Sequence, residues 1–208
     1  MVATKKMKIL GIFAHPDDEI IFGWPIFQQK HLDKHLLCIT GRQERLECLH
    51  KVSSILNFTW SCPQLTDGYL QGLSNLVVEA IQLNIERYNP ALVFCHNSEG
   101  EYGHPDHKTI FDAVLKSEAA NMVISDIIVP VKSSKWSLVT HISNPEYYQN
   151  KICTVSKDET KYEEISQVYQ KNNFWTWGHY PSPSECNLYA PRHEISIEEL
   201  KEICIIEA

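Results

Sequence analysis

MKILGIFAHPDDEIIF, Met7 to Phe22, opens as an apolar run and changes without a linker into His15, Pro16, Asp17, Asp18 and Glu19. An apolar run without alternation is the pattern of a strand buried on both faces. Charged side chains within it would be costly to desolvate, so they must lie where the strand ends. The continuation DDEIIFGWPIFQQK reads as a turn into a helix, bent near Gly23 and Pro25. A second stretch, HNSEGEYGHPDHKTIF from His96 to Phe111, has the same construction behind the apolar ALVFC, and its helix starts at the His-Pro step.

Working outward, KHLLCIT and ALVFCH read as further strands, and SDIIVPV and WSLVTHIS as later ones. Leu46, Leu49, Val52, Ile55 and Leu56 recur at helical spacing in RQERLECLHKVSSILNF. LSNLVVEAIQLNIERYNP is another helix, opening near Ser74 and stopped at Asn89-Pro90. HPDHKTIFDAVLKSEAA and KDETKYEEISQVYQ supply two more. Strands and helices in this rhythm predict one α/β domain over residues 1–208: a Rossmann-like, mainly parallel sheet with helices on both faces. The polar motifs lie within 7–120, and 121–208 is expected to complete the fold and the substrate pocket. The aromatic segment NNFWTWGHYPSPSECNLYAPRHE receives no regular structure.

Composition excludes several classes. The 19 Lys and Arg against 26 Asp and Glu give a formal net charge of −7, which argues against nucleic acid or an anionic membrane as the main partner. No segment is long and apolar enough to span a bilayer. The basic N-terminus MVATKKMKILGIFA superficially resembles a leader, but its apolar stretch is short and broken by Lys8. Seven cysteines without a CxxC pair predict free thiols and a cytoplasmic location, with Cys38 and Cys95 as buried small hydrophobes. Oligomeric state is not legible.

In an open α/β sheet, ligands bind beyond the carboxyl ends of the strands. Both histidine clusters occupy such ends, so they can meet. His15 and Asp18 are three residues apart, as are His104 and His107, a spacing that points two side chains the same way at a helix start. Imidazoles with a carboxylate are the donor set of a catalytic Zn²⁺ site, or of a facial site accepting Fe²⁺ or another divalent metal. Either cluster alone would pass for a solvated helix start whose acids offset the macrodipole. The recurrence of His-Pro-Asp at two strand ends favours metal binding. Neither GxGxxG nor a P-loop follows the first strand.

AHPDDE at 14–19 and EGEYGHPDH at 99–107 resemble the two signature motifs of the LmbE/PIG-L family of metal-dependent deacetylases, which remove N-acetyl groups mostly from N-acetylglucosamine units. Weaker similarity runs through LLCIT, Arg45, LTDGYL and NPALVFCHN, and again in ICTVSKDETKYEEISQVY. The resemblance implies His15, Asp18 and His107 as metal ligands. It leaves Asp17 as general base, with His104 and Tyr102 as donors to the developing oxyanion and Arg45 on the substrate side. Asp106 would orient a neighbouring imidazole, Glu19 would be structural, and His179 is a weaker candidate for the sugar pocket.

The implied substrate is an N-acetylated sugar or glycoconjugate. Two alternatives stay open: a non-sugar amide hydrolysed on the same site, and a non-catalytic sugar- or nucleotide-binding module. Departures from the family pattern fall outside the ligands. The loop between CITG and Arg45 is short, Cys48 stands where glutamate is usual, and Asn57 where glycine is usual.

Overall fold

The structure is a computed structural model, and it describes residues 6–129, 139, 141–172, 174 and 183–204. In chain order the first half contains β1 (Lys8–Phe13), α1 (Asp18–Ile21), α2 (Trp24–Phe27), β2 (Asp33–Cys38), α3 (Gln43–Leu56), β3 (Thr59–Ser61), α4 (Ser74–Tyr88) and β4 (Leu92–Cys95). The kinked turn α5 (Gly100–Gly103), α6 (Pro105–Lys116), β5 (Met122–Ser125), β6 (Lys151–Ser156), α7 (Glu159–Gln170), β7 (Glu185–Arg192) and α8 (Ile197–Leu200) follow. The strands form one 7-stranded sheet in the order β3-β2-β1-β4-β5-β7-β6. From β3 to β5 every pairing is parallel. The β5–β7 and β7–β6 pairings are antiparallel. The expected mainly parallel α/β domain is therefore what the chain forms.

Alternation along β1 explains the layers, because successive side chains in a strand point to opposite faces. Ile9 and Phe13 enter a core with Leu46, Leu49 and Val52 of α3 and Ile165 and Tyr169 of α7. Leu10 and Ile12 enter a second core with Val77 and Ile81 of α4 and Ile110 and Val114 of α6. The sheet is covered on both sides, so its strands read as apolar throughout. Gly11 marks a close approach: a Cβ there would lie 2.6 Å from the Phe27 ring.

Three expectations need correction. The strand foreseen in SDIIVPV lies earlier, at Met122–Ser125. Of WSLVTHIS, Val139 and residues 141–143 carry no strand and the rest lies outside the described residues, as do residues 173 and 175–182 of the aromatic segment, His179 among them. That segment nonetheless ends in β7, which alternates with Cys186, Leu188 and Ala190 buried. Pro191 disguised it. Between Ile124↔Tyr189 and Met122↔Arg192 the register advances three residues on β7 against two on β5, and Pro191 falls in that bulge, where a missing N–H is tolerated.

The free-thiol expectation also fails in part. Cys153 on β6 and Cys204 in the last turn, 51 residues apart in sequence, form a disulfide, whereas Cys38, Cys48, Cys62, Cys95 and Cys186 are free. No spacing signal marks that pair, and its presence removes the uniform thiol inventory from which a cytoplasmic location was read. No helix among the described residues is long and apolar enough to cross a membrane.

Candidate metal centre

β1 and β4 are neighbours, with Ile12 beside Cys95, so the polar segments that follow them emerge at the same edge of the sheet. Thr40 secures the end of β1, its N–H and hydroxyl both donating to Ala14 O at 2.9 and 2.8 Å. The chain then turns sharply through Asp17, whose φ of 108° is strained for a residue with a Cβ. Glu19 holds that turn: one carboxylate oxygen accepts the Asp17 N–H at 2.9 Å and the other accepts the Tyr169 hydroxyl at 2.7 Å. The structural role expected for Glu19 has this physical form.

Three donor atoms converge. His15 Nδ1 is 3.2 Å from Asp18 Oδ2 and 3.3 Å from His107 Nε2, and His107 Nε2 is 3.5 Å from Asp18 Oδ2. All three residues are buried, with His107 wholly so. A tetrahedral site with bonds of about 2.0–2.1 Å sets its ligand atoms roughly 3.3–3.4 Å apart. One proton can bridge only one side of this triangle, whereas a divalent cation satisfies all three lone pairs. The residues present therefore fit a metal ion. The only other candidate trios among the described residues are His15, His104 and Asp106, and His96, Glu101 and His107.

The far nitrogen of His15, Nε2, lies 3.1 Å from Asp67 Oδ1 and 3.5 Å from Asp106 Oδ2 without an aligned hydrogen bond. Asp106 also accepts the Gly68 N–H at 2.7 Å and the Leu70 N–H at 3.0 Å, which pins the loop carrying Asp67 beside the site. His104 caps α6, its Nδ1 accepting the Asp106 N–H at 3.2 Å. Its ring centroid is 4.9 Å from that of His15 and 4.6 Å from that of His107. Burial and the neighbouring His107 and His15 hold the His104 pKa down to about 3, so it is neutral, with its proton on Nε2. Tyr102 stacks on Phe22 with centroids 6.2 Å apart, and burial, with Asp18 and Asp17 nearby, raises its pKa, keeping the hydroxyl protonated.

Asp17 is buried beside the triangle. Burial raises its pKa, with Arg45 pulling in the opposite direction. The Arg45 guanidinium donates to Asp17 Oδ1 at 2.6 Å and to Pro16 O. Arg45 is thus placed on the candidate base, a contact its helical position alone did not announce.

Sequence reasoning missed His96, Glu101 and Asp67. Glu101 Oε2 accepts from His107 Nδ1 at 2.8 Å and from His96 Nδ1 at 2.9 Å. The available signals were the second glutamate of EGEYGHPDH, the histidine heading the second polar stretch, and LTDGYL.

Comparisons with known proteins bear on the family and the fold. The family model described as PIG-L, GlcNAc-PI de-N-acetylase, matches residues 10–117. An uncharacterized protein of Acanthamoeba polyphaga mimivirus is 27% identical over 183 residues, covering 79% of this chain and 80% of that protein. A probable N-acetylglucosaminyl-phosphatidylinositol de-N-acetylase of Schizosaccharomyces pombe is 29% identical over 125 residues, 52% of this chain and 50% of the relative, so the match spans half that protein's length. Among solved structures, the A40926 pseudoaglycone deacetylase superposes with a TM-score of 0.66 at 13% identity, covering 92% of this chain and 100% of that one, a likeness of fold.

Proposed function

This chain belongs to the PIG-L family, and on that premise we propose that it is a divalent-metal hydrolase that removes the N-acetyl group from an N-acetylglucosamine-like sugar or its conjugate, yielding free amine and acetate. The observation that carries the reading is the triangle of His15 Nδ1, Asp18 Oδ2 and His107 Nε2. Two imidazoles and one carboxylate suit Zn²⁺ first and Fe²⁺ second. Such an ion, when bound, polarises an acyl oxygen and lowers the pKa of water from about 15.7 towards ~7.

The chain supplies the rest. Asp17 is the general base: it takes a proton from the attacking water and passes it to the departing nitrogen. Its raised pKa suits that exchange, and Arg45 holds the carboxylate in place between the two transfers. His104 donates through Nε2–H to the oxygen that gains charge as the carbonyl becomes tetrahedral. Tyr102, also protonated, is the second donor to that oxygen.

The sugar assignment rests on the family description and on the printed name of the yeast relative. Acetate release is to be measured on N-acetylglucosamine and its glycoconjugates, beside a panel of N-acetylated non-sugar amines, before chelation and after chelation and metal return. Sugar turnover that is lost with chelator and restored by metal is expected. Turnover of the non-sugar amides alone would overturn the sugar assignment, and no metal-dependent release from any substrate would overturn the hydrolase.

A further inference from the structure

Glu101 has no part in the chemistry outlined above, yet its backbone sits at φ 55°, ψ −48°, a region an L side chain enters only under compensation. Glycine would adopt that conformation without strain, as Gly100 and Gly103 do at positive φ on either side. What the glutamate adds is a side chain 1% exposed and fully engaged. Its Oε2 accepts from His107 Nδ1 at 2.8 Å and His96 Nδ1 at 2.9 Å, and its Oε1 accepts the Asn97 N–H at 3.0 Å. Every partner is an N–H donor.

His96 extends the connection. Its Nε2 accepts the Ala14 N–H at 3.1 Å, one residue before His15, and lies 3.3 Å from Asp18 Oδ2. Accepting at Nε2 leaves the His96 proton on Nδ1, where Glu101 receives it. The ring also stacks on His107, with centroids 3.7 Å apart and planes 11° from parallel. The two strand ends are therefore coupled through one carboxylate.

We propose that Glu101 is the positioning residue of the metal centre: by accepting the Nδ1 proton of His107 it fixes the tautomer whose Nε2 lone pair faces His15 and Asp18, and through His96 it locks that ring to the end of β1. The inference rests on the assignment of His107 as a ligand. A neutral imidazole carries one N–H and one lone pair, so a proton that moves to Nε2 removes the donor the metal needs. A carboxylate on the far nitrogen prevents that exchange and makes the ligating nitrogen more basic.

Two readouts test it. Imidazole ¹⁵N-correlated spectra of the metal-free wild type are expected to show His107 as the Nδ1–H tautomer; an Nε2–H tautomer overturns the proposal without any substitution. Glu101→Gln keeps the side chain's shape, but its amide NH₂ must face either the Asn97 N–H or the two imidazoles. Titrating Zn²⁺ against a chromophoric chelator should give a dissociation constant ~10–100-fold higher for this variant, with the circular dichroism spectrum unchanged. Wild-type affinity, or a loss that only tracks unfolding, overturns the role of Glu101. Asp18→Asn serves as the control: its retention of wild-type affinity would overturn the ligand assignment itself, whereas loss there with none in Glu101→Gln removes only the positioning role.

Discussion

The turn at Pro16 and the turn at Pro105 both carry His-Pro-Asp from a parallel strand into a helix, and the buried glutamate beside each is held differently. Around Pro16 the main supports come from far along the chain: Arg45 on α3 grips Asp17 and Pro16 O, and Tyr169 on α7 grips Glu19. Around Pro105 the Glu101 carboxylate finds its partners within the same stretch, on His96, His107 and the Asn97 N–H, while Asn97 and Asp106 tie that stretch to Ser125, Ile127, Gly68 and Leu70. Both loops lean on the assembled domain, but the Glu101 carboxylate is satisfied within its own stretch whereas the Glu19 carboxylate reaches Tyr169 on α7. Their carboxylates differ accordingly. Burial raises Glu19 to about 7, whereas the imidazoles facing Glu101 outweigh its burial and hold it at about 2.

The largest effects expected from changing the first loop fall on chemistry. Asp17→Asn should lower kcat by ~10²–10⁴ with metal content unchanged, since it removes the base and no ligand. Equal rates in wild type and variant would take Asp17 out of the mechanism. In the second loop, His104→Ala should cost ~10²–10³ in kcat, as loss of an oxyanion donor does, with little change in KM. A purely KM effect would make it a binding residue instead.

Arg45 separates remote support from substrate contact. Its charge lowers the Asp17 pKa, so Arg45→Met should move the acid limb of the kcat/KM profile to higher pH. An unmoved limb with a raised KM would place its main role on substrate. The smallest effect is expected at Glu19. Gln can accept the Asp17 N–H and donate to the Tyr169 hydroxyl, which can rotate to receive it, so Glu19→Gln should fold and bind metal normally. The raised pKa means that the wild-type carboxyl contributes stability below its unfolded value near 4.5 and loses it as pH climbs through about 7. The melting temperature of Glu19→Gln should therefore fall less than that of wild type between pH 5 and about 8; parallel profiles would refute the buried ionisation.

The same contrast explains what was legible in the sequence. Apolar runs, each followed by a polar stretch containing His-Pro-Asp, located β1, β4 and the edge of the sheet where their loops meet, because period and polarity are local properties. β7 was not legible because Pro191 argues against a strand until the bulge against β5 is known. The Arg45–Asp17 and Tyr169–Glu19 contacts join elements whose relation only the folded sheet defines. Glu101 was visible within its motif but chemically mute, since a glutamate among glycines near a helix start reads as a solvated charge until the two imidazoles are found against it.

The most direct test is X-ray absorption at the metal edge of the loaded protein, with metal content measured in wild type, Asp18→Asn and His107→Ala. One ion per chain is expected, with two imidazole nitrogens and a carboxylate oxygen at about 2.0–2.2 Å, and binding should be weakened more than ~100-fold in both variants, beyond the loss from removing an outer partner. A shell without histidine, or full occupancy in both variants, would contradict the account.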